Sequence, residues 1–560
     1  MFPRTLPTRL LLATALLAGG AQAQVIYVNA GLSTGADDGT SWANAFQGSD
    51  GLRAAIATAS PGQQIFAAQG TYYPTQTMDR EAAFLLPGGV ELYGGFVGNE
   101  ATPEDRFPFD VFPSVLSGDL LQDDLGGNIA DNSRHVVVTS LSSQGALLDR
   151  FTITRGNADG NSGLQNRGGG IVSLIEDVTF RDCRVFQNWA SFGGASASVN
   201  GAGPVFEGCA FQDGNASSFG GGVLLQGAAG TRFDRCSFVN STAARGGGLA
   251  SLDSTGTLIT NSYFVGNNAE GGMGGGAVYA TGDSSLEITN CTITNNGASV
   301  SVVGGVAVVD PASDVQVTNT ILWDNEGAGG SQGSANQVSA NAHVSYSIVE
   351  GGSMGIGNLD LDPKFLPGTP FLSLLSPAID AGDVTAIPSG SLLDLFGETR
   401  LVDQPSIPDS GVGGDVPVDI GATEYNQFSG MANTGCFAQP NSTGETGLLT
   451  GGGAPNVPSN NLVLAAGDLP LQQTGLFLMS QTPGVTPVSD GTLCLDGNII
   501  RFADDVLNTG DNGGVVFPID VLNLPQNQVF QIGETWYFQL WHRDVGGSSN
   551  FSNSVGFTWF

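Results

Sequence analysis

TRFDRCSFVN (231–240), TLITNSYFVGNN (257–268) and LEITNCTITNN (286–296) repeat one pattern three times. In each, an apolar residue stands three positions before a small one, and another stands two after it: Phe233, Cys236, Phe238; Ile259, Ser262, Phe264; Ile288, Cys291, Ile293. Working outward, VTFRDCRVFQN (178–188), PVFEGCAFQDGN (204–215) and VQVTNTILWDN (315–325) fit the same frame, and Phe151 and Ser347 extend it. The mean interval is 28 residues, 196 residues over seven intervals. Apolar residues alternate over five or six positions and then meet Asn or Gly, which is a strand period and not a helical one. Glycine clusters fall between these segments, at 168–170, 193–194, 220–222, 246–248, 274–276 and 304–305.

A period of ~20–30 residues holding two or three short strands is one coil of a solenoid. Each strand pairs with its counterpart ~4.8 Å along the axis, so equivalent residues stack in files. The fold class predicted is all-β: a right-handed parallel β-helix solenoid followed by a C-terminal antiparallel β-sandwich. No L-x-x-L-x-L file supports a leucine-rich repeat.

Composition agrees. Glycine is 84 of 560 residues, charged residues are 12%, and the only lysine is Lys364. That excludes helical bundles and coiled coils, which need long charged faces. A net charge of −34 excludes sequence-independent binding to nucleic acid, because phosphate contacts need clustered cations. Residues 1–23 read as a secretory signal, with Arg4 and Arg9, an apolar run from Leu10 to Leu17 and a small-x-small site at Ala21-Gln22-Ala23. No later run reaches the ~18 apolar residues of a membrane helix. The solenoid is expected over 24–425, with an N-terminal cap to about 145, regular repeats over about 146–350 and a closing segment over 351–425. The helix expected at Ser49–Ala59 covers the open end. From 426 to 560 the period gives way to sandwich strands such as NLVLAAGDL (461–469) and ETWYFQLWHRDV (534–545). Cys436 and Cys494, the only cysteines there, are expected to form a disulfide.

Gly220-Gly221-Gly222-Val223, Gly274-Gly275-Gly276-Ala277 and Phe264-Val265-Gly266-Asn267 resemble the GGAI and FxxN repeats of polymorphic outer membrane proteins. That resemblance spans about 150–350. It implies a right-handed β-helix on a bacterial surface or outside the cell. LSPAIDAGD (375–383) with DIGATEY (419–425) resembles the end of the choice-of-anchor Q group of β-helix proteins.

Cys183, Cys209, Cys236 and Cys291 sit one per coil along a line, so they read as a buried file and not as four zinc ligands converging on a point. Disulfides Cys183–Cys209 or Cys209–Cys236 remain open on distance. Asn261, Asn290 and Asn319, and again Asn267, Asn296 and Asn325, are placed to stack as amide ladders. Arg181, Glu207 and Asp234 share one position in successive coils, and Asp182 and Arg235 share the next. This face, with Arg184 and Arg232, is either a solvated set of ion pairs or a carbohydrate-binding site. Ca²⁺ is the one ion the acidic residues admit, at Asp360, Asp362, Asp380, Asp394 and Asp419, which otherwise fix turns; no other cofactor is expected. Asp123-Asp124 reads as a solvated turn. His135, His343 and His542 show no metal spacing, and neither Gly-His-Gly nor Arg-Ile-Lys occurs. The sequence therefore predicts an exported, non-catalytic cell-surface or extracellular protein acting as a binding or adhesion scaffold, with polysaccharide or other surface proteins as partners. The alternative is a pectate-lyase-like enzyme on acidic glycans using Arg181, Arg184, Arg232 or Arg235.

Overall fold

The computed structural model describes residues 24–106, 112–175, 177–330, 333–365, 370–373, 375–404, 407–414, 416–425, 431–433, 438–444, 446–452, 462–510, 513–531 and 534–559. The expected signal at 1–23 and Cys436 lie outside them. Residues 64–349 wind through about nine coils of a parallel β-solenoid. Each regular coil carries four short strands, not the two or three expected. One coil runs Val205–Glu207, Ala210–Gln212, Asn215–Phe219 and Val223–Ala229. Stacked coil on coil, they form a first sheet of 12 strands, a second of 10, a third of 6 and a fourth of 8.

Two corners explain the repeat's sequence. Between the first and second sheets the chain turns on one residue of left-handed backbone: Arg150, Asp182, Gly208, Arg235, Asn261, Asn290, Asn319 and Tyr346. Asn, Asp and Gly recur there because they bear φ > 0 at least cost. Between the second and third sheets a second left-handed file follows: Arg155, Gln187, Asp213, Asn240, Gly266, Asn295 and Asp324. The glycine clusters form the corner between the third and fourth sheets. There Gly246 has φ +65°, and a Cβ on Gly247 would lie 2.6 Å from the Gly276 carbonyl one coil away. Only glycine permits that approach.

Inward residues fill the solenoid in files. Phe180, Phe206 and Phe233 stack at centroid distances of 5.0 and 5.1 Å, and Phe211, Phe238 and Phe264 at 5.1 and 4.2 Å. The cysteine file is buried, and Cys183, Cys209, Cys236 and Cys291 are all free thiols, so no adjacent-coil disulfide forms. Each thiol donates to a carbonyl of the preceding coil, Cys209 Sγ to Phe180 O at 3.3 Å for example. Burial pushes the Cys291 thiol up to about 12. A thiol reagent is therefore expected to titrate none of the four in the native protein and four on unfolding without reductant. Six on unfolding would show Cys436 and Cys494 unpaired.

Of the two asparagine lines, the second is a continuous ladder, whereas the first keeps one amide–amide bond, Asn319 Nδ2 to Asn290 Oδ1 at 3.4 Å. Asn267 Nδ2 donates to Asn296 Oδ1 at 2.9 Å, Asn296 Nδ2 to Asn325 Oδ1 at 2.9 Å, and Asn325 Nδ2 to Gln337 Oε1 at 2.6 Å. The first line points outward to the closing segment. Asn261 Oδ1 accepts from Arg400 Nε at 2.6 Å, Asn290 Nδ2 donates to Asp419 O at 3.4 Å, and Asn319 exchanges two bonds with Asp383, at 2.7 and 2.9 Å. Gly421 N donates to Asn319 O and Ala422 N to Thr292 Oγ1, at 2.8 and 2.9 Å. The described residues of 380–424 thus return along the outside of the coils and seal a seam over the first corner. Leu372, Ile379 and Ile420 pack on Ile321 and Ile348 of the second sheet beside it.

The helix Gly51–Thr58 buries Leu52 and Ala55 into the main core beside the first strand, Val25–Asn29. It lies at the end of the first sheet, as expected of a cap on an open edge. The C-terminal strands are antiparallel. A six-stranded sheet centred on Thr535–Arg543 and Ser549–Thr558 shares one core with a three-stranded sheet of Leu448–Gly452, Val463–Gly467 and Val515–Pro518. Phe477 and Phe517 stack between them at 5.3 Å. Among the described residues no helix is long and apolar enough to cross a membrane.

Candidate functional site

Strand register brings one outward file together on the first sheet. Tyr93 pairs with Asp149, Asp149 with Arg181, Arg181 with Glu207, Glu207 with Asp234, and Asp234 with Thr260. The sequence placed Arg181, Glu207 and Asp234 in line, and the register agrees. The pairing differs from the one expected. Arg181 turns back one coil and forms a 2.5 Å ion pair with Asp149, while Arg106 reaches the other oxygen of Asp149 at 2.7 Å. Asp149 is 1% exposed and is saturated by the two guanidiniums. The Arg106 guanidinium also lies 5.4 Å from the Tyr93 ring centre. Asp149 holds the same place before Phe151 as Arg181 does before Cys183 and was legible in the repeat, whereas Arg106 and Tyr93 lie in early coils whose long loops hide the period.

The Arg181 side chain is 38% exposed. Partial burial works against its charge, but Asp149 outweighs that and holds it above the ordinary arginine range. A guanidinium so held is a fixed cation and hydrogen-bond donor. It is poorly placed to abstract a proton, which needs a lowered pKa. Asp182, on the adjoining corner, is pushed upward by burial and then by Asp149.

The remaining candidates have separate fates. Arg184 extends over the Phe186 ring at 4.5 Å and donates to Gln212 Oε1 at 2.9 Å, on the second sheet. Arg232 donates to Ser391 Oγ at 2.8 Å and lies under the closing segment. Asp234 is buried, accepts from Thr260 Oγ1 at 2.6 Å and Asn261 Nδ2 at 2.8 Å, and has Arg235 at 3.5 Å. So the predicted face divides. Arg181, Arg184 and Glu207 stand clear of the seam, whereas Arg232 and Asp234 are engaged in it or beside it.

The five aspartates named for Ca²⁺ do not converge. Asp360 accepts from Gly351 N, Asp362 pairs with Lys364 at 2.9 Å, and Asp394 accepts from the backbone of Phe396, Glu398 and Glu424. Asp419 accepts from Asp380 N and Tyr425 N. Among the described residues, Asp380 brings its carboxylate within 4.8 Å of those of Asp403 and Asp409, while Asp394 and Asp419 lie near Glu424 about Arg400. Burial, then Asp403 and Asp409, push Asp380 up to about 6.

A family model described as a right-handed β-helix region matches residues 215–363. No curated protein matches the sequence. Among solved structures, the pectate lyase Pel9A aligns over 73% of this chain and 98% of its own, at 14% identity and a TM-score of 0.38. The enzymatically active domain of tailspike protein 2 from bacteriophage CBA120 aligns over 86% of this chain and 72% of its own, at 11% identity and a TM-score of 0.19. Likenesses this distant carry nothing about chemistry. What the family match establishes is that the middle coils of this chain form a right-handed β-helix region.

Proposed function

We propose that this chain is an exported, non-catalytic β-helix protein of the cell surface or extracellular space, a scaffold that binds polysaccharide across the corner between the first and second sheets, where Arg181 and Arg184 stand on either side. The observation that carries this reading is the Arg181–Asp149 pair. It offers a rigid cationic donor to a glycan hydroxyl or carboxylate while keeping the guanidinium protonated. Arg184 laid on Phe186 adds a second donor beside an aromatic ring on the next sheet. The likeness of the repeats to those of polymorphic outer membrane proteins, and the leader-like first 23 residues, support a location outside the cell.

The second reading, a lyase on acidic glycans, is favoured by the carboxylates Asp182, Glu207 and Asp234 gathered near Arg181 and Arg235. One experiment divides the two. The protein is incubated with a panel of neutral and uronate polysaccharides, and both retention and ultraviolet absorbance of unsaturated products are followed. Retention without product is expected, and Arg181→Ala is expected to weaken it about tenfold, the loss of one charge-assisted hydrogen bond. Product formation that vanishes in Arg181→Ala or Arg235→Ala would establish the lyase, and neither retention nor product with any glycan would sink both readings.

A further inference from the structure

The chain leaves the second sheet at Ser114–Ser117 and re-enters at Val137–Thr139 in the fourth, skipping the third. The loop between takes the place of the missing strand. Asn157 N donates to Ser133 O at 2.8 Å and Asn157 Nδ2 to Ile129 O at 2.8 Å. Asn157–Ala158 is the edge strand of the third sheet, so this loop covers an edge that would otherwise stand open.

The same loop crowds oxygen atoms. Asp119, Asp123 and Asp124 bring carboxylate oxygens within 4.8 Å of one another. Asp119 accepts from the backbone N–H groups of Asp123 and Asp124, at 3.1 and 3.4 Å. Asp124 is not the solvated turn residue that the sequence suggested. It is 9% exposed and Asp131 is 8%, while Asn132 and Ser133 are fully buried. Asp123 Oδ1, Asp124 Oδ1, Asp131 Oδ1, Asn132 Oδ1 and Ser133 Oγ are all buried with no hydrogen-bond partner. Asn132 Nδ2 donates to Asp124 Oδ2 at 3.1 Å, which sets its amide against the carboxylates. Among the described residues, the one cation within ion-pair distance of these four aspartates is Arg155, 3.6 Å from Asp124 Oδ2.

Buried oxygens without donors are costly, and several convergent ones call for a cation. The set is all oxygen, with no thiolate or imidazole, which selects a hard ion over zinc. Its carboxylate count suits Ca²⁺, which takes 6–8 oxygens in flexible geometry. We propose that the 118–136 loop binds one Ca²⁺ through the convergent carboxylates of Asp119, Asp123 and Asp124, with Asp131 and Asn132 beside Asp124, and that the ion clamps the loop over the edge of the third sheet. Asp119 also holds the loop in shape through its backbone bonds.

The test uses the full chain and two ions. Trp189 lies close by, its ring 6.0 Å from the Arg155 guanidinium, so Tb³⁺ in this site is expected to show tryptophan-sensitised emission that Ca²⁺ displaces. Trp189→Phe is expected to abolish most of that emission while Ca²⁺ still raises the unfolding temperature and slows proteolysis within 118–136. Asp123→Asn with Asp124→Asn is expected to weaken Ca²⁺ binding roughly a hundredfold, since affinity follows carboxylate count. Asp403→Asn, in the separate Asp380 group, is expected to leave the emission unchanged. The proposal is overturned if millimolar Ca²⁺ neither binds nor stabilises the wild-type chain, if emission survives Trp189→Phe, or if the double variant binds as the wild type does. Should that variant not fold, the Trp189→Phe comparison still locates the ion.

Discussion

Replacing Arg400 with methionine is expected to destabilise the closing segment by about 3–5 kcal/mol at neutral pH, because it removes the one cation that, among the described residues, pairs with a buried set of carboxyl groups. Arg400 and Glu424 are both fully buried at the side chain and lie 3.3 Å apart. The guanidinium also donates to Asn261 Oδ1 and Gly421 O. Asp394, Asp419 and Glu424 lie about it, and one cation cannot neutralise three buried carboxylates, so burial favours the protonated form of each. Burial pushes Asp419 up to about 7, and burial followed by Asp419 pushes Glu424 upward as well. Glu424 Oε1 has no partner of its own.

The sign of the pH dependence follows. Asp419's folded value lies above its ordinary 3.8, so the folded state binds the proton more tightly than the unfolded chain. That stabilisation is fully present below about pH 4 and is lost as pH rises to about 7. The Arg400→Met defect is expected to be larger at pH 8 than at pH 5, where the orphaned carboxyls take up protons. Adding Glu424→Gln is expected to recover part of the loss. Hydrogen exchange on 380–424 reads both effects locally, which matters because solenoids need not unfold as one unit. A loss of protection that is equal at both pH values would show that Arg400 acts through packing alone.

The second large effect is expected at Asn296. Its Oδ1 accepts from both Asn267 N and Asn267 Nδ2, and its Nδ2 donates to Phe264 O, Thr294 O and Asn325 Oδ1. Asn296→Leu keeps the number of side-chain heavy atoms but strands several buried donors and acceptors, at about 1–3 kcal/mol each before relaxation. A total of roughly 3–5 kcal/mol is expected on that basis. Asn296→Ser is expected to lose less, because Ser241 in the same file already accepts from Gly214 N and donates to Val239 O. Chemical denaturation of the three proteins side by side checks the order. An Asn296→Leu chain as stable as the wild type would mean that the ladder contributes geometry but no net free energy.

The solenoid was legible because its information is periodic. Phe233, Phe238, Cys236 and their equivalents must recur at each coil to fill one core, and a recurring pattern survives reading without coordinates. The corner asparagines were harder. Asn261, Asn290 and Asn319 recur for two reasons at once, the left-handed turn and the partners across the seam, and neither is visible in a strand pattern. Asp149 stands two before Phe151, as Arg181 stands two before Cys183, so its place in the file was legible; its second partner Arg106, from an irregular early loop, was not. Asp123-Asp124 was read as a solvated turn because only the folded chain shows Asp131, Asn132 and Ser133 coming back upon it. Arg400 and Glu424 are 24 residues apart in a segment without repeats, so nothing local announces their pairing.

The seam also bears on how such a protein gains and loses length over generations. Duplicating or deleting one rung of a solenoid is ordinarily mild, since each rung contacts only its neighbours. Here Asn261, Asn290 and Asn319 sit on three successive rungs, and each is matched to a different site on one non-repeating strap. An extra rung among them would shift every match by ~4.8 Å. Homologous chains are therefore expected to keep a constant number of rungs under the strap and to vary, if at all, in the rungs before Arg232, which the strap does not reach.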